Sequence, residues 1–344
     1  MLTSDQNRKI NEIVEEFKEA ADFYRMEYSE DLMGMFRDFG CMLLLKCKVD
    51  TEGKADLERL LEGRHKLKGT VKRQLMTVSE ELAQLWEPGE QDGSGDTGEY
   101  EGSQNVREMF QTALEEIFHF CLYSKGGKNR YLLPEETAKP LLRLLTFPEG
   151  MMAGNEGLVV LDTQCGAGSA LMAASRYLKN LRLMGYEKDE EMWAAAVIMS
   201  QLSGLEMELH LEDGARADLY ESCDLVISNP VYGTDTIKDE ELIDQLPGEL
   251  KTVRGRYHME LIRSMQALNF DGKAMLIVPN SFLFANRTES MKVRKWLLQS
   301  YSLEAIISLP EDTFMYSGVR SGVMVFSKPF MSGGWEGHTQ RVLY

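Results

Sequence analysis

The sequence predicts an α/β protein in which an N-terminal α-helical domain precedes an open, mainly parallel sheet. Three observations carry this. Through residues 1–86 apolar side chains recur at intervals of three and four, the period of amphipathic helices. From Gly157 onward short apolar runs alternate with helical stretches, as in βαβ units. The first of those runs ends in a glycine-rich turn that opens the next helix.

Ile10, Ile13, Val14, Phe17 and Ala21 form the apolar stripe of a first helix. Leu57, Leu60, Leu61 and Leu67, then Leu75, Val78, Leu82 and Leu85, mark further helices with charged outer faces. Residues 87–102, EPGEQDGSGDTGEYEG, hold six acids, five glycines and no basic residue, the composition of a solvated linker. A helix is predicted from about Asn105 to Tyr123, followed by the loop SKGGKNRYLLP. The predicted strands are LVVLD, LRLMGYE, MELHL and DLVISN, then AMLIVPN, LEAIISLP and GVMVFSKP. The domains are placed at 1–125 (helical, with the acidic Gly-rich loop 87–102) and 126–344 (sheet). No internal repeat is visible.

Composition narrows the class. Of 344 residues, 43% are hydrophobic and 27% charged, which excludes dominant disorder and fibrous repeats. The 55 acids against 38 basic residues leave a formal charge of -17. That charge divides as -9 over residues 1–150 (20 basic, 29 acidic) and -8 over the rest (18 basic, 26 acidic). Phosphate backbones are held by Lys and Arg, so neither half reads as a nucleic-acid surface. The N-terminus carries acids without an apolar run, so no signal peptide is expected. No stretch approaches the roughly 18 apolar residues of a membrane span. The five cysteines, Cys41, Cys47, Cys121, Cys165 and Cys223, contain no CxxC pair, so neither a disulfide framework nor a zinc site is expected. A cytoplasmic protein that does not engage membrane is the expectation.

The first chemical constellation is DTQCGAGSAL, Asp162 to Leu171, directly after LVVLD. Such a turn lets backbone approach a ligand and frees helix N–H groups to bond it. Leu171 stands where a dinucleotide fingerprint has its third glycine, which disfavours a nicotinamide oxidoreductase. Read without a ligand, the same residues make a tight strand-to-helix turn. The second is Glu187, at the end of the next strand and about 20 residues past the glycines, where a carboxylate can accept both hydroxyls of a ribose. Alone, it also fits an exposed strand-end acid. Asp213, beside Glu212, ends the third strand and can accept from an adenine amine.

The third is Asn229-Pro230-Val231-Tyr232-Gly233, after the fourth strand. An amine conjugated to a purine ring is a poor nucleophile because its lone pair is delocalised. The Asn229 side-chain oxygen and the Pro230 carbonyl can hold both its hydrogens, favouring a pyramidal nitrogen. The Tyr232 ring can stack on an extruded base. Extrusion costs a few kcal/mol, which stacking worth roughly 1–3 kcal/mol largely offsets. Out of context, Asn-Pro is a common turn.

Together, DTQCGAGSAL, GYEKDE and ISNPVYG resemble motifs I, II and IV of the amino-group S-adenosylmethionine-dependent methyltransferases. The resemblance is strongest to N6-adenine DNA methylases of the kind found as modification subunits of type I restriction systems. It extends to YLLPEETAKPLLRLL, in the place of an FYTP-like segment, and to GKAMLIVPNSFLF, RKWLLQS and LEAIISLPEDTFMYSGVRSGVMVFSKP. It covers about residues 105–329, and more loosely the helical N-terminus.

The resemblance implies a class I S-adenosylmethionine-dependent methyltransferase fold, Rossmann-like, with a mainly parallel seven-stranded sheet. It implies S-adenosyl-L-methionine as cofactor and methyl transfer to the N6 amine of adenine in DNA. Asp162, Cys165, Gly166 and Gly168 would line the methionine part, with Tyr131, Pro134 and Asn229 beside it. Glu187 would take the ribose and Asp213 the adenine of the cofactor. Asn229, Pro230 and Tyr232 would present the target amine; no metal is implied. Three departures stand out: Leu133 replaces a Thr, Thr163 a Pro, and Val231 a second Pro. The first removes a hydroxyl able to bond the cofactor carboxylate, which would weaken binding by roughly 1.5–3 kcal/mol.

Two alternatives share these motifs: a homologue that binds cofactor without catalysis, and transfer to protein glutamine or RNA. DNA is the expected partner, bound weakly and salt-sensitively by this chain alone. A partner subunit or a homodimer would complete the assembly. After the last strand about fifteen residues follow, so neither a separate target-recognition domain nor C-terminal helices that engage a specificity subunit are expected in this sequence. The segment from Thr234 to Gly255, with Lys238, Lys251, Arg254 and nearby Arg256, reads either as a substrate-facing loop or as a mobile surface loop. His119 and His258 are expected to be ordinary helix residues.

Overall fold

The computed structural model describes residues 2–28, 31–49, 55–62, 67–86, 100–124, 132–145, 157–219, 222–233, 235–286, 288–311, 313–314 and 319–329. The chain divides into two compact units, Met1–Lys128 with Ala194–Leu205, and Asn129–Trp193 with Glu206–Tyr344.

The first unit is helical. Helices α1 (Ser4–Glu27), α2 (Met33–Lys46), α3 (Ala55–Glu62), α4 (Gly69–Ala83) and α5 (Tyr100–Leu122) follow in order. Thr3 caps α1: its side chain accepts from the Gln6 N–H, and the Gln6 side chain accepts from the Thr3 N–H at 2.7 Å. The predicted stripe of Ile10, Ile13, Val14, Phe17 and Ala21 is buried, and Phe17 meets Phe39 of α2 edge to face at 5.0 Å. α2 is buried on nearly every side, which explains its almost continuous apolar sequence. The expected start of α5 at Asn105 moves back to Tyr100, so residues 100–102 leave the predicted linker. A helix anchored by buried Met109, Phe110, Ala113 and Leu114 extends by one turn at little cost. Residues 87–99 of that linker lie outside the described residues.

The second unit contains the sheet, reached through α6 (Glu135–Leu144). All seven predicted strands form: β1 (Leu158–Asp162), β2 (Leu181–Glu187), β3 (Met207–Leu211), β4 (Cys223–Ser228), β5 (Leu268–Pro279), β6 (Ser302–Ser308) and β7 (Ser321–Ser327). Their order is β3-β2-β1-β4-β5-β7-β6. Pairings are parallel up to β5, and β7 runs antiparallel between β5 and β6. The central runs LVVLD and CDLVIS are almost continuously buried, as strands covered on both faces must be. α7 (Ser169–Tyr177) connects β1 to β2, and α8 (Glu190–Leu202), whose residues from Ala194 on belong to the first unit, connects β2 to β3. α9 (Glu240–Asp244), α10 (Arg256–Gln266), α11 (Asn280–Phe284) and α12 (Thr288–Ser300) complete the described helices.

Strand order reverses between β1 and β4, since the chain steps outward to β2 and β3 before returning. Crevices at such a reversal, at the carboxyl ends of the strands, are where open α/β sheets bind ligands. Both glycine turn and Asn-Pro segment stand there.

The segment between β4 and α10 is no loose surface loop. Ile237, Leu242, Ile243, Leu246, Leu250 and Val253 are buried in the core of the sheet unit, and Thr236 bridges to Gly255. Its polar sequence concealed an apolar side whose irregular spacing comes from a one-turn helix and a 3-10 turn, Gly248–Leu250.

Candidate active site

β1 delivers Asp162 to the crevice, and the chain turns through Gly166 and Gly168, with φ of 55° and 78°. Left-handed backbone of this kind suits glycine, because a Cβ would collide with the following carbonyl. Gly168 then becomes the N-cap of α7. Asp162 is 2% exposed, and its Oδ1 accepts from the Gln164 N–H at 3.0 Å. Burial pushes its carboxyl up to about 7, Glu187 adds in the same direction, and the Gln164 N–H opposes the shift.

Glu187 ends β2 and ties that strand to the turn. One of its oxygens accepts from the Gly166 N–H at 3.0 Å and the other from the Asp189 N–H at 2.7 Å. Burial raises this carboxyl too, against those backbone bonds. Each oxygen keeps a lone pair, so two adjacent hydroxyls can still be accepted. Cys165 is buried, its thiol raised by burial first and then by Asp162 and Glu187.

Asp213 lies two residues beyond β3 and is engaged by the protein itself. Its Oδ1 accepts from the Ala215 N–H at 3.2 Å, and its Oδ2 accepts from Arg256 Nη1 at 2.9 Å. The same guanidinium reaches Glu260 at 3.4 Å, and Lys188 lies 4.0 Å from that buried carboxylate. Burial lifts Glu260 to about 7, with Lys188 and Arg256 pulling the other way. Sequence reading had set Arg256 beside the substrate loop and missed Glu260; the Arg–Glu spacing of four along one helix was the signal. Gly214 also escaped notice: a Cβ there would stand 2.3 Å from the Thr163 carbonyl oxygen, so only glycine lets this loop close on the turn.

β4 presents Asn229, half-buried, followed by buried Pro230 and by Val231, which is 45% exposed. The half-buried Tyr232 is held at both ends. Its hydroxyl pairs with Ser321 Oγ of β7 at 3.3 Å, and its ring meets Tyr257 edge to face at 5.6 Å. Upstream, Pro134 is the N-cap of α6, and α6 is fastened to α7 by Glu135, which bonds Arg176 and accepts from the Tyr177 hydroxyl at 2.6 Å. Tyr131 lies outside the described residues.

The departures have physical accounts. Thr163 is buried, and its hydroxyl bonds Ser264 Oγ of α10 at 2.6 Å, a link that proline cannot make. Leu133 is buried, and its N–H donates to Ser169 Oγ at 3.3 Å. Exposed Val231 makes room for no lost bond, since the backbone carbonyl of interest belongs to Pro230. His258 bonds Ser290 Oγ at 2.9 Å, and His119 contacts the ring of Tyr123 at 6.0 Å; both sit on helices. All five cysteines are free and buried. Among the described residues no helix is long and apolar enough to cross a membrane.

The model of the N-6 DNA methylase family matches residues 107–342, more than half of the chain. The chain belongs to the N-6 DNA methylase family. Its sheet is that of the class I S-adenosylmethionine-dependent methyltransferases. One relative, the type I restriction enzyme MjaVII methylase subunit of Methanocaldococcus jannaschii, is 24% identical over 298 residues. That alignment covers 79% of this chain, which spans only 47% of the length of the relative. A solved structure from Listeria monocytogenes, assigned to the class I S-adenosylmethionine-dependent methyltransferases, superposes with a TM-score of 0.64 at 18% identity, covering 95% of this chain and 90% of the other. The type I restriction-modification methyltransferase subunit of Streptococcus thermophilus gives 0.55 at 15% identity, over 94% and 86%. Likeness at such identities concerns the fold.

Membership in the N-6 methylase family implies S-adenosyl-L-methionine as the cofactor. The residues present suit it. Burial raises the carboxyls of both Asp162 and Glu187, and Glu187 adds to the rise at Asp162, so a cationic ligand relieves them. Glu187 retains acceptors for a diol, and the glycine turn leaves backbone open to close approach.

Proposed function

We propose that this chain transfers a methyl group from S-adenosyl-L-methionine to the N6 amine of adenine in DNA, as part of a restriction-modification system. The observation that carries this reading is the end of β4. There an amide side chain, a proline carbonyl and a clamped aromatic ring stand next to a turn suited to the cofactor.

The cofactor supplies the methyl group on a cationic sulfur. The chain's own residues do the rest. Asn229 Oδ1 and the Pro230 carbonyl accept the two N–H hydrogens of the target amine, turning its lone pair toward the donor. Tyr232 stacks on the extruded adenine. Its bonds to Ser321 and its contact with Tyr257 hold the ring in place beforehand, so little order is lost when the base enters. Asp162 lines the methionine part, Glu187 takes the ribose and Asp213 the cofactor's adenine, with Pro134, Cys165, Gly166 and Gly168 shaping the walls. The amine needs no deprotonation beforehand: S-adenosylhomocysteine would be the leaving group, and one N–H proton would pass to solvent after transfer, so that positioning and electrostatics supply the catalysis.

A chain of charge -17 binds DNA weakly alone, so a partner subunit holds the duplex while this one acts on the base. Five buried free thiols suit the reducing cytoplasm, where the substrate lies. The test is methyl transfer from labelled S-adenosylmethionine to DNA, RNA and protein fractions, followed by mass analysis of the product. N6-methyladenine in DNA is the expected product. Asn229→Ala is expected to lower transfer at least about 100-fold while leaving cofactor affinity within a few-fold. Undiminished transfer in that variant contradicts the role given to Asn229, and label in RNA or protein alone contradicts the substrate.

A further inference from the structure

Gln164 occupies the second position after β1, within the turn, and its side chain is oriented from two sides. Its backbone N–H is committed to Asp162 Oδ1. Its side-chain Oε1 accepts from Ser228 Oγ at 3.4 Å, and Ser228 is wholly buried immediately before Asn229. Ser264 stands behind this pair: its Oγ donates to the Glu260 carbonyl at 2.8 Å, lies 3.5 Å from Ser228 Oγ, and takes the Thr163 hydroxyl at 2.6 Å. Each hydroxyl has one hydrogen to give. Thr163 gives its own to Ser264, Ser264 to Glu260, and Ser228 to Gln164.

In this arrangement the carbonyl end of the Gln164 amide faces Ser228 and its NH2 end faces away. Gln164 Nε2 is shielded from solvent and has no hydrogen-bond partner among the described residues. A buried donor without an acceptor is costly, so the fold retains it for something that binds. The acids tied to this turn, Asp162 and Glu187, suit hydroxyls and cations. A carboxylate in the same crevice would be repelled by both and needs an N–H donor. Leu133, where the family resemblance places a hydroxyl, offers only a buried apolar side chain.

We propose that the side-chain amide of Gln164 holds the carboxylate of S-adenosylmethionine, replacing the hydroxyl absent at Leu133. This rests on S-adenosylmethionine being the cofactor and is independent of the methyl acceptor. The test is calorimetric titration of the full chain with S-adenosylmethionine, S-adenosylhomocysteine and decarboxylated S-adenosylmethionine. Gln164→Leu is expected to weaken the first two by about tenfold, consistent with loss of a charge-assisted bond. The decarboxylated ligand is expected to bind this variant and the wild type alike. Gln164→Glu keeps the contact with Ser228 but sets a second carboxylate against the ligand, and is expected to lose more than Gln164→Leu for the two carboxylate ligands alone. Melting curves without ligand verify that each variant is folded, and Gln164→Ala stands in for one that is not. Equal affinity of wild type and both variants for S-adenosylmethionine overturns the proposal while leaving the cofactor intact. An equal loss for the decarboxylated ligand also overturns it, since the turn and not the carboxylate would then be affected. Unchanged cofactor affinity with transfer lost only on DNA assigns Gln164 to the target base instead. No binding of S-adenosylmethionine by the wild type overturns the cofactor and the proposal together.

Discussion

β1 and β4 are neighbours in the sheet, yet their carboxyl ends are made from opposite materials. At β1, Asp162 is buried with Glu187 nearby, and burial pushes both carboxyls toward neutrality. At β4 stand an amide, a proline, an exposed valine and a tyrosine fastened through its hydroxyl. Acids raised by burial are unfavourable in their charged form until a cation arrives, which suits a small cationic ligand. An uncharged edge with a fixed ring suits a flat, neutral base, and it avoids setting a carboxylate against the phosphates that accompany that base. On the proposed reading, charge is concentrated where the ligand is charged, and shape where it is not.

The largest expected effect that would break this contrast comes from Asp162→Asn. If the acid end works through charge, the variant loses about 10- to 100-fold in S-adenosylmethionine affinity, as for a hydrogen bond to a charged group worth roughly 1.5–3 kcal/mol. The wild-type affinity carries the same signature in its pH dependence. A cation favours ionised Asp162, whose pKa lies at about 7 in the free protein. Affinity therefore falls as pH drops through 7, by up to about tenfold between pH 8 and 6, and the Asn variant flattens that profile. Calorimetry across pH checks both. Stability moves the other way. Folding raises this carboxyl from its ordinary 3.8 to about 7, so the folded state binds the proton more tightly and loses stability as pH climbs between those values. Asp162→Asn is expected to raise the melting temperature most above pH 7, the gain shrinking toward pH 4.

A smaller effect probes the uncharged end. Tyr232→Ala removes the stacking surface, worth roughly 1–3 kcal/mol, so transfer to DNA is expected to fall about 10- to 100-fold with cofactor affinity unchanged. Tyr232→Phe keeps the ring and loses only the bond to Ser321, so it is expected to retain most activity. Loss of cofactor affinity in Tyr232→Ala would erase the distinction between the two ends.

The smallest effect falls on what joins them. Thr163→Val keeps the shape but removes the hydroxyl bonded to Ser264, and is expected to cost about 1 kcal/mol in chemical denaturation. Because Ser264 in turn approaches Ser228, modest losses in cofactor affinity and transfer should appear together. A loss confined to one of them would show that the hydroxyls do not couple the two ends.

Much of this architecture was legible in the sequence because it rests on local periodicity and short motifs. Seven apolar runs became seven strands, since a strand packed into a sheet must bury apolar side chains, and a central parallel one on both faces. The glycine turn and Asn229–Tyr232 were legible for a similar reason: chemistry that needs adjacent backbone and side-chain groups leaves contiguous residues. Of the two readings of the segment before α10 the mobile loop fails, and the sequence left it open because a one-turn helix and a 3-10 turn give the buried side chains no recognisable period. What the chain order alone could not reveal were pairings across 43 to 101 positions: Thr163 with Ser264, Ser228 with Gln164, and Asp213 with Arg256. A hydroxyl or an amide reads the same in sequence whether it faces water or a partner. Only folding, which removes the water and sets the partner at bonding distance, decided that Thr163 is a tie, that Asp162 sits near neutrality and that Gln164 keeps a donor in reserve.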